Sequence, residues 1–306
     1  MTESRFQRRQ DLPDRRLLSV GTPMCAGCGG LEAISIAYDV LGENTIFINA
    51  AGCMTLLSVY PFTPFRGSWL YTAMGSAPAG AQGVRDALDI LIEKGRIEVA
   101  EDLEVVVLTG DGSAYGMGIS ATSGSIDRCL DYLYIIYDNE GYGNTGQQHS
   151  AATPHAARTA TSRCEYGHKG IKKDLFSILA ANGAAYVATA IGSEPLDLAR
   201  KIEKASSISG PRFIIILAPC PTGWDFDPKE TMRIGQLAVR TGIWPLKELA
   251  DGKVSHTKNP SRLIPVENYL EKQGRFRHLF EPPKKEAVLR DIQNNITSYW
   301  QEAATG

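Results

Sequence analysis

Two polar turns in this sequence carry side chains that could bind a metal ion and, through it, a phosphate group. The first turn is Gly110-Asp111-Gly112, and the second contains Asn139 and Gly141. Gly-Asp-Gly alone is equally compatible with an ordinary tight turn. Together, however, the turns offer a carboxylate, an amide oxygen and a backbone carbonyl, and Mg²⁺ prefers about six oxygen ligands, several of them from phosphates and water. The two turns therefore predict a magnesium ion that bridges the protein to a diphosphate.

Four cysteines form a second candidate site. Cys25 and Cys28 have the C-x-x-C spacing, whereas Cys53 and Cys220 each follow a short apolar run that predicts a strand. The C-x-x-C pair alone is compatible with a redox dithiol, a zinc site or an iron–sulfur cluster. Because the predicted strands place Cys53 and Cys220 at the same sheet edge as the two polar turns, the four thiolates favour a [4Fe–4S] cluster over a structural zinc ion.

Among the other polar and thiol side chains, one is a candidate to contact a substrate. Asn144 follows the second turn closely, and its amide could hydrogen-bond a carboxylate or a carbonyl group. His149 and His155 are possible general bases, but we expect them to serve the structure of the loop. Cys129 is expected to be a buried, small apolar residue, and Cys164 lies in a polar loop without an assigned role.

The segments that flank the two turns predict how the sites are assembled. Residues 104–109 and 132–137 are continuous apolar runs, as expected of strands that are buried on both faces of a parallel sheet. Residues 117–129 between them are long enough for a crossover helix. Since parallel strands end at the same edge, both turns should lie in the crevice where open α/β sheets bind ligands.

Strands and helices alternate between residues 31 and 220, which predicts an α/β fold with a doubly wound parallel sheet. We divide the chain into an arginine-rich N-terminal arm (residues 1–16), an α/β domain (17–225) and a C-terminal helical extension (226–306). The extension has too little apolar content for a core of its own, so we expect it to wrap around the sheet or a partner subunit. Its predicted helices span residues 229–241, 266–278 and 284–301.

Composition argues against several classes of function. The chain has 306 residues and a formal net charge of −2, so it lacks the basic field expected of a nucleic-acid-binding protein. Its apolar runs fall short of the roughly 20 residues that span a bilayer. The arginines of the arm are interrupted by acidic residues and are not followed by an apolar segment, which is unlike a secretory signal. We expect a cytoplasmic protein that neither binds nucleic acid nor spans a membrane.

The amino-acid sequence of the second turn resembles that of one protein family. Asn139 follows Asp111 by 28 positions, a spacing similar to that of the thiamine diphosphate fingerprint. Residues 137–162, YDNEGYGNTGQQHSAATPHAARTATS, closely resemble the β subunits of the 2-oxoacid:ferredoxin oxidoreductases, especially the pyruvate type. The resemblance covers about residues 17–247. It includes the C-x-x-C-G motif, a third cysteine 25 positions on and a late cysteine followed by proline.

This resemblance implies three cofactors, namely thiamine diphosphate, Mg²⁺ and one [4Fe–4S] cluster. It implies oxidative decarboxylation of a 2-oxo acid to acyl-coenzyme A and CO₂, with electrons passed to the cluster and on to ferredoxin or a similar carrier. No carboxylate of the chain is recognisable as the partner of the aminopyrimidine ring, so α/γ/δ-type partner subunits would supply that domain. The implied site residues are Gly110, Asp111, Gly112, Asn139 and Gly141 for the cofactor and its magnesium, Cys25, Cys28, Cys53 and Cys220 for the cluster, and Asn144 for the substrate.

The expected substrate is pyruvate, although the sequence departs from the pyruvate type in one place. Gly143 stands where such subunits usually carry a bulkier side chain such as Met, and His149 stands in place of an Arg. The loss of a long side chain beside the reacting carbon would admit a larger substituent. Phenylglyoxylate or a branched-chain 2-oxo acid is therefore the alternative substrate.

Two other classes of function remain open from the residues alone. A non-redox thiamine enzyme subunit would share Asp111 and Asn139 but would not need the four cysteines. A zinc-stapled assembly subunit would keep the cysteines but would have no use for Asp111 and Asn139. The three classes predict about four iron atoms, none, or one zinc ion per chain, so metal analysis separates them.

Overall fold

Eight strands form one sheet in the part of the chain that the structure describes. The structure is a computed structural model, and it describes residues 4–14, 16–59, 61–98, 100 and 102–305. Residues 1–3 and Arg15 of the predicted arm lie outside these ranges. The strands are β1 (Thr45–Ala50), β2 (Ser68–Thr72), β3 (Glu104–Gly110), β4 (Tyr132–Asp138), β5 (Tyr186–Ile191), β6 (Pro211–Leu217), β7 (Leu246–Ala250) and β8 (Lys253–Lys258).

The order of the strands places the two polar turns side by side. The sheet runs β2-β1-β3-β4-β6-β5-β7-β8, and β1 to β6 pair in parallel. The predicted doubly wound parallel sheet is thus confirmed. In the pairing of β3 with β4, Gly110 lies opposite Tyr137. Asp111 and Asn139 therefore follow neighbouring strands at one edge of the sheet, as the sequence predicts.

Helices cover both faces of the sheet and explain why its central strands are apolar throughout. Successive side chains of a strand point to opposite faces. In β4, Tyr134 and Ile136 join one core, while Leu133 and Ile135 join the other. The helices are α1 (Gly29–Leu41), α2 (Ala77–Glu93), α3 (Ile119–Asp127), α4 (Leu175–Ala181), α5 (Pro195–Ser206), α6 (Pro221–Trp224), α7 (Thr231–Arg240), α8 (Glu267–Leu270) and α9 (Glu286–Thr305). Within the described residues, no helix has the length and apolar character needed to cross a membrane.

The crossover between β3 and β4 differs from the single helix predicted for residues 117–129. A π-helical turn covers Gly112–Met117, and α3 begins only at Ile119. Residues 112–118 contain three glycines, which have low helix propensity. The backbone amide of Gly118 donates to the carbonyl of Ser113 at 2.7 Å, and this bond closes the wider turn.

The prediction that Cys129 is buried is wrong. Cys129 is exposed and follows the C-terminal end of α3 with a φ of +52°. The chain turns at this point, and Leu130 enters the core instead. Cys164 is also exposed, and its thiol donates a hydrogen bond to the carbonyl of Gly167.

The extension is less helical than predicted. After α7, strands β7 and β8 form an antiparallel hairpin that joins the sheet beside β5. The signal in the sequence is Asp251-Gly252, a pair typical of two-residue hairpin loops, and both residues have positive φ values. The helix predicted for residues 266–278 is also divided, into α8 and a 3₁₀ turn at Gly274–Leu279.

The extension packs on the sheet of its own chain. Trp244, Phe276, Leu279 and Ile296 are buried in the same core as the β4 side chains Tyr134 and Ile136. The extension therefore shares one apolar core with the sheet. The domain boundary at residue 225 and a contact with a partner subunit both stay predictions.

Leu279→Ala should destabilise the sheet itself, because Leu279 is fully buried in this shared core. Truncation of a buried Leu to Ala typically costs about 2–5 kcal/mol. Amide hydrogen exchange of β4 and β6 in the purified complex measures the effect. The control is Met232→Ala on α7. Because 39% of the surface of Met232 is exposed, little change is expected. Unchanged exchange in β4 after Leu279→Ala would show that the extension folds as a separate unit.

Candidate functional site

The two polar turns bring three oxygen atoms together at the edge of the sheet. The side-chain oxygen of Asn139 lies 2.8 Å from Oδ1 of Asp111 and 2.7 Å from the carbonyl oxygen of Gly141. Neighbouring ligands of an octahedral Mg²⁺ are about 2.9 Å apart, because each Mg–O bond is about 2.0–2.1 Å long. If the Asn139 amide is turned over, its NH₂ group donates to both oxygens instead. In either orientation the three residues meet at one point, and their oxygen atoms suit a hard cation.

When all of its carboxyl groups are ionised, the set of charged groups around this point carries one more negative charge than positive charge. Three buried carboxylates, Asp111, Asp138 and Glu140, face two cations, Lys172 and Arg275. Lys172 lies 2.6 Å from Asp138 and 2.9 Å from Glu140, and Arg275 lies 2.6 Å from Glu140. Of the three carboxylates, only Asp111 has no ion pair with a described residue. Since a buried charge requires a partner, a cation bound at Asp111 would complete the balance.

Burial raises the pKa of Asp138 although Lys172 is its partner, and the pKa values of Asp111 and Glu140 shift in opposite directions. Burial, together with the charge of Asp138, raises the pKa of Asp111 well above its usual range. Burial acts in the same direction on Glu140, but Lys172 and Arg275 outweigh it and hold the pKa of that carboxyl below its usual range. Of these carboxyl groups, Asp111 therefore depends most on an added cation to be ionised.

Ser150 fixes the orientation of the Asp111 carboxylate. Its hydroxyl donates to Oδ2 of Asp111, which leaves Oδ1 facing Asn139. Ser150 is itself held by its backbone amide, which donates to the hydroxyl of Thr153 at 2.9 Å. Sequence reasoning missed Ser150, because only the fold brings it next to a residue 39 positions away.

The turn that carries Asn139 has an unusual backbone that the surrounding contacts hold in place. Glu140 has a φ of +62°, in the left-handed region that costs a residue with a side chain about 1–2 kcal/mol. The indole of Trp224 donates to the carbonyl of Asn139 at 2.8 Å, and the hydroxyl of Thr153 donates to the carbonyl of Glu140 at 2.9 Å. Arg275 pairs with Glu140 and lies 3.8 Å above the Trp224 ring. The extension thereby supports the site.

A small cleft opens beside the three oxygen atoms. Its volume is about 130 Å³, and its lining includes Asp111, Asn139, Cys53 and the exposed Asn144. Pockets for cofactors and small ligands usually measure about 300–1,000 Å³. The described residues at this cleft therefore do not enclose a volume that could hold a whole cofactor. A larger, mainly apolar cavity of about 340 Å³ borders Glu140, but neither Asp111 nor Asn139 lines it.

The four cysteines of the predicted cluster site converge from three separate segments. Burial, followed by the charges of Cys220, Cys28 and Cys25, raises the pKa of Cys53 to about 12. Because such electrostatic effects weaken with distance, the four thiols lie in one neighbourhood. In the described ranges, no three His, Cys, Asp or Glu side chains are placed to hold a single metal ion. The cluster therefore stays a prediction.

Backbone groups shape the surroundings of two of these thiols. The amide of Leu31 donates to Sγ of Cys28 at 3.4 Å, and the amide of Gly223 donates to Sγ of Cys220 at 3.3 Å. Burial raises the pKa of both thiols, and these hydrogen bonds act in the opposite direction, toward the thiolate form. The two segments also pack tightly, since a Cβ at Gly29 would lie 2.8 Å from Cδ of Pro219.

Cys53 connects the two candidate sites. The amide nitrogen of Asn139 lies 3.9 Å from Sγ of Cys53, and both residues line the small cleft. A predicted ligand of the magnesium ion therefore touches a predicted ligand of the cluster. This arrangement suits chemistry in which electrons pass from one group to the other.

Comparison with known proteins identifies the family. The family model described as thiamine pyrophosphate enzyme, C-terminal TPP binding domain, matches residues 50–216. Pyruvate synthase subunit PorB of Methanothermobacter thermautotrophicus is 42% identical, over 95% of this chain and 98% of its own length. The chain belongs to the β subunits of the 2-oxoacid:ferredoxin oxidoreductases. PorB of Pyrococcus furiosus is 35% identical, over 96% of this chain and 95% of its own length.

A solved structure shares the fold of this β subunit. It is 2-oxoglutarate:ferredoxin oxidoreductase from Magnetococcus marinus, with a TM-score of 0.58 and 23% identity over 89% of this chain and 92% of that chain. Membership of the family makes the chain part of a thiamine-diphosphate-dependent oxidoreductase that acts as a complex. It also decides against a non-redox thiamine enzyme and against a zinc-stapled assembly subunit.

Asp111→Asn in the β subunit should abolish metal-dependent binding of thiamine diphosphate, because it removes the one carboxylate among the three converging oxygen atoms. We expect at least a tenfold loss of affinity for Mg²⁺, measured by titration of the complex with metal and by mass spectrometry of the retained cofactor. Asp127→Asn, at an exposed position at the end of α3, is the matched control. Retention of the cofactor at the wild-type metal concentration would remove Asp111 from the metal site.

Proposed function

We propose that this chain holds the diphosphate end of thiamine diphosphate through Mg²⁺, with oxygen atoms of Asp111, Asn139 and Gly141 as ligands. The observation that carries the proposal is the convergence of these oxygens at a buried carboxylate without an ion pair among the described residues. Gly112 allows the Tyr142 ring to pack closely against the first turn. A Cβ at this position would lie 2.2 Å from the Tyr142 ring.

Thiamine diphosphate, when held by these residues, would supply the nucleophilic carbon needed for decarboxylation of a 2-oxo acid. The residues of this chain hold and orient the reactants. The amide of Asn144, exposed beside the small cleft, donates a hydrogen bond to the carboxylate or carbonyl oxygen of the substrate. Because the cleft of about 130 Å³ is too small for a whole cofactor, an α/γ/δ-type partner subunit encloses the aminopyrimidine ring.

Cys25, Cys28, Cys53 and Cys220 are the proposed ligands of one [4Fe–4S] cluster. The mutual influence of their thiols and the backbone hydrogen bonds to two of the sulfur atoms support this set. The cluster supplies a one-electron acceptor when it is bound. A ferredoxin-type carrier is the proposed acceptor beyond it, and coenzyme A is the proposed acceptor of the acyl group. The Magnetococcus marinus enzyme was solved with coenzyme A bound.

A reducing compartment suits these thiols. All six cysteines are free in the structure. Free thiols persist in the cytoplasm, whereas oxidising compartments favour disulfides. We therefore include a cytoplasmic location in the proposal.

Pyruvate is the proposed substrate. The relatives named pyruvate synthase subunit PorB reach 42% identity, and a ketoisovalerate oxidoreductase subunit from Pyrococcus abyssi reaches 36% over 89% of this chain. Identity therefore favours pyruvate over a branched-chain 2-oxo acid.

The expectation of free space beside Gly143 finds no support. A Cβ there would lie 2.7 Å from Nδ2 of Asn139 and 3.4 Å from Sγ of Cys53, so these side chains already occupy that direction. Gly143 is explained by close packing against two proposed ligands. The argument for a larger substrate such as phenylglyoxylate depended on that free space and is therefore no longer supported.

Replacement of Cys25, Cys28, Cys53 or Cys220 by Ala should remove the iron from the chain and the electron transfer that depends on it. The anaerobically purified complex is analysed for iron and for absorbance at about 400 nm, where thiolate-to-iron charge transfer is expected. The wild-type β subunit should contain about four iron atoms, in addition to those of its partner subunits. Cys129→Ala and Cys164→Ala are the controls and should keep the full amount. Full iron content after any of the first four changes would exclude that residue as a ligand.

The complex should prefer pyruvate over 2-oxoisovalerate and phenylglyoxylate by at least tenfold in kcat/KM, in the range of about 10–200-fold that small differences in an apolar pocket produce. Gly143→Ala should lower the content of Mg²⁺ and thiamine diphosphate, since the new Cβ displaces Asn139, and should leave the order of substrates unchanged. Gly83→Ala on α2, where a Cβ meets nothing within 4 Å, is the control. A preference for phenylglyoxylate would overturn the pyruvate assignment.

A further inference from the structure

The mainly apolar cavity of about 340 Å³ lies between the sheet and the extension. Thr189 of β5 and Ile215 and Leu217 of β6 line it from the sheet, whereas Ile296 and Tyr299 of α9 line it from the extension. Its volume falls within the range of about 300–1,000 Å³ that is usual for ligand pockets. None of the proposed metal or cluster ligands is among its lining residues. The cavity is therefore a candidate ligand site separate from the cofactor cleft.

The cavity is accessible from solvent and has an apolar interior. Its lining includes the exposed side chains of His155 and Lys173 and also Ile171, which is 86% exposed. Trp244 and Ile296, in contrast, are lining residues that are more than nine-tenths buried. A ligand could thus enter from solvent and bury an apolar body against these two side chains.

Lys247 places a positive charge in the lining. Its Nζ lies 4.4 Å from the centroid of the Phe176 ring and 5.2 Å from that of Tyr299. It forms no ion pair or side-chain hydrogen bond with a described residue, and it is not among the polar atoms that are shielded from solvent. Burial lowers the pKa of Lys247, although the charge of Asp174 acts in the opposite direction. Aromatic rings attract a cation but do not neutralise it, so this ammonium group lacks a close anion.

The remaining charges of the lining indicate how many negative charges a ligand would carry. The lining contains four cations and two carboxylates, namely Lys172, Lys173, Lys247, Arg275, Glu140 and Asp174. Asp138, which pairs with Lys172, adds a third carboxylate to this set. When all of these groups are ionised, one positive charge is left. A monoanion would balance it, whereas a dianion would leave a negative charge in apolar surroundings.

We propose that this cavity binds a monocarboxylate with an apolar body, whose carboxylate pairs with the ammonium group of Lys247. The apolar body packs against Trp244 and Ile296. A small polar anion would not suit the site, because the apolar lining offers few partners for its oxygen atoms. Binding here requires neither thiamine diphosphate nor the cluster, so the site stands apart from the proposed function.

Isothermal titration of the intact complex with octanoate tests the site, after saturation with thiamine diphosphate and Mg²⁺. Hexanoate and heptanoate form a series with octanoate, and 1-octanol is the uncharged control. The affinity should rise about fourfold for each added CH₂ group, because each one is transferred from water to an apolar lining. Octanol should bind at least tenfold more weakly than octanoate, since it cannot pair with the ammonium group.

Two variants assign the binding to this cavity. Lys247→Gln should weaken the binding of octanoate at least tenfold and leave that of octanol unchanged, which would also show that the cavity is intact. Lys247→Arg keeps the charge and should restore part of the affinity. Ile243→Trp places a larger side chain at a partly buried lining position and should weaken both probes. Lys253→Gln, at an exposed position on β8, is the matched control and should bind as the wild type does.

Several results would overturn the proposal. The first is the absence of saturable octanoate binding to the wild-type complex. Another is an unchanged affinity for octanoate in either Lys247→Gln or Ile243→Trp, since the carboxylate would then not meet Lys247 or the chain would not lie in this cavity. Octanol that binds as tightly as octanoate would exclude a carboxylate as the recognised group.

Discussion

The need to balance charge in the buried turn after β4 governs the structure around the site. Asp138 and Glu140 have no access to water that would stabilise their ionised forms, so cations must reach them. Lys172 comes from the loop that precedes α4, and Arg275 comes from the extension, more than a hundred residues along the chain. Both cations are held by the positions of distant segments. The packing of those segments and the electrostatics of the turn therefore stabilise each other.

The same need for charge balance explains why the extension contributes contacts to the site and does not only cover the α/β domain. Arg275 meets Glu140 and stacks on Trp224, whose indole binds the carbonyl of Asn139. These three contacts hold a backbone conformation that a residue with a side chain seldom adopts. The oxygen atoms of Asn139 and Gly141 are presented together only because this conformation is maintained. A segment with no proposed ligand of its own is thus part of the geometry of the metal turn.

Short-range patterns predicted the centre of the site, and long-range contacts supplied what they missed. The apolar runs before Asp111 and Asn139 indicated parallel neighbouring strands, and from this the meeting of the two turns followed. Arg275 could not be predicted, because no local pattern marks a partner for Glu140 at such a distance. The hairpin of β7 and β8 was missed although Asp251-Gly252 signalled it, since these charged strands lack the continuous apolar runs from which the other strands were predicted. Cys129 was misplaced because apolar composition does not show where a helix ends.

The position of Arg275 has a consequence for how the protein is made. Chains fold progressively from the N-terminus during synthesis, and the sheet strands β1 to β6 are complete once Leu217 has been added. At that stage Glu140 still lacks Arg275, and Trp224 and the extension have yet to reach the turn. The turn acquires its final shape only when residue 275 leaves the ribosome. The geometry of this turn is thereby completed only after all six parallel strands have been made, so a polypeptide that stops before residue 275 lacks the ion pair that holds it.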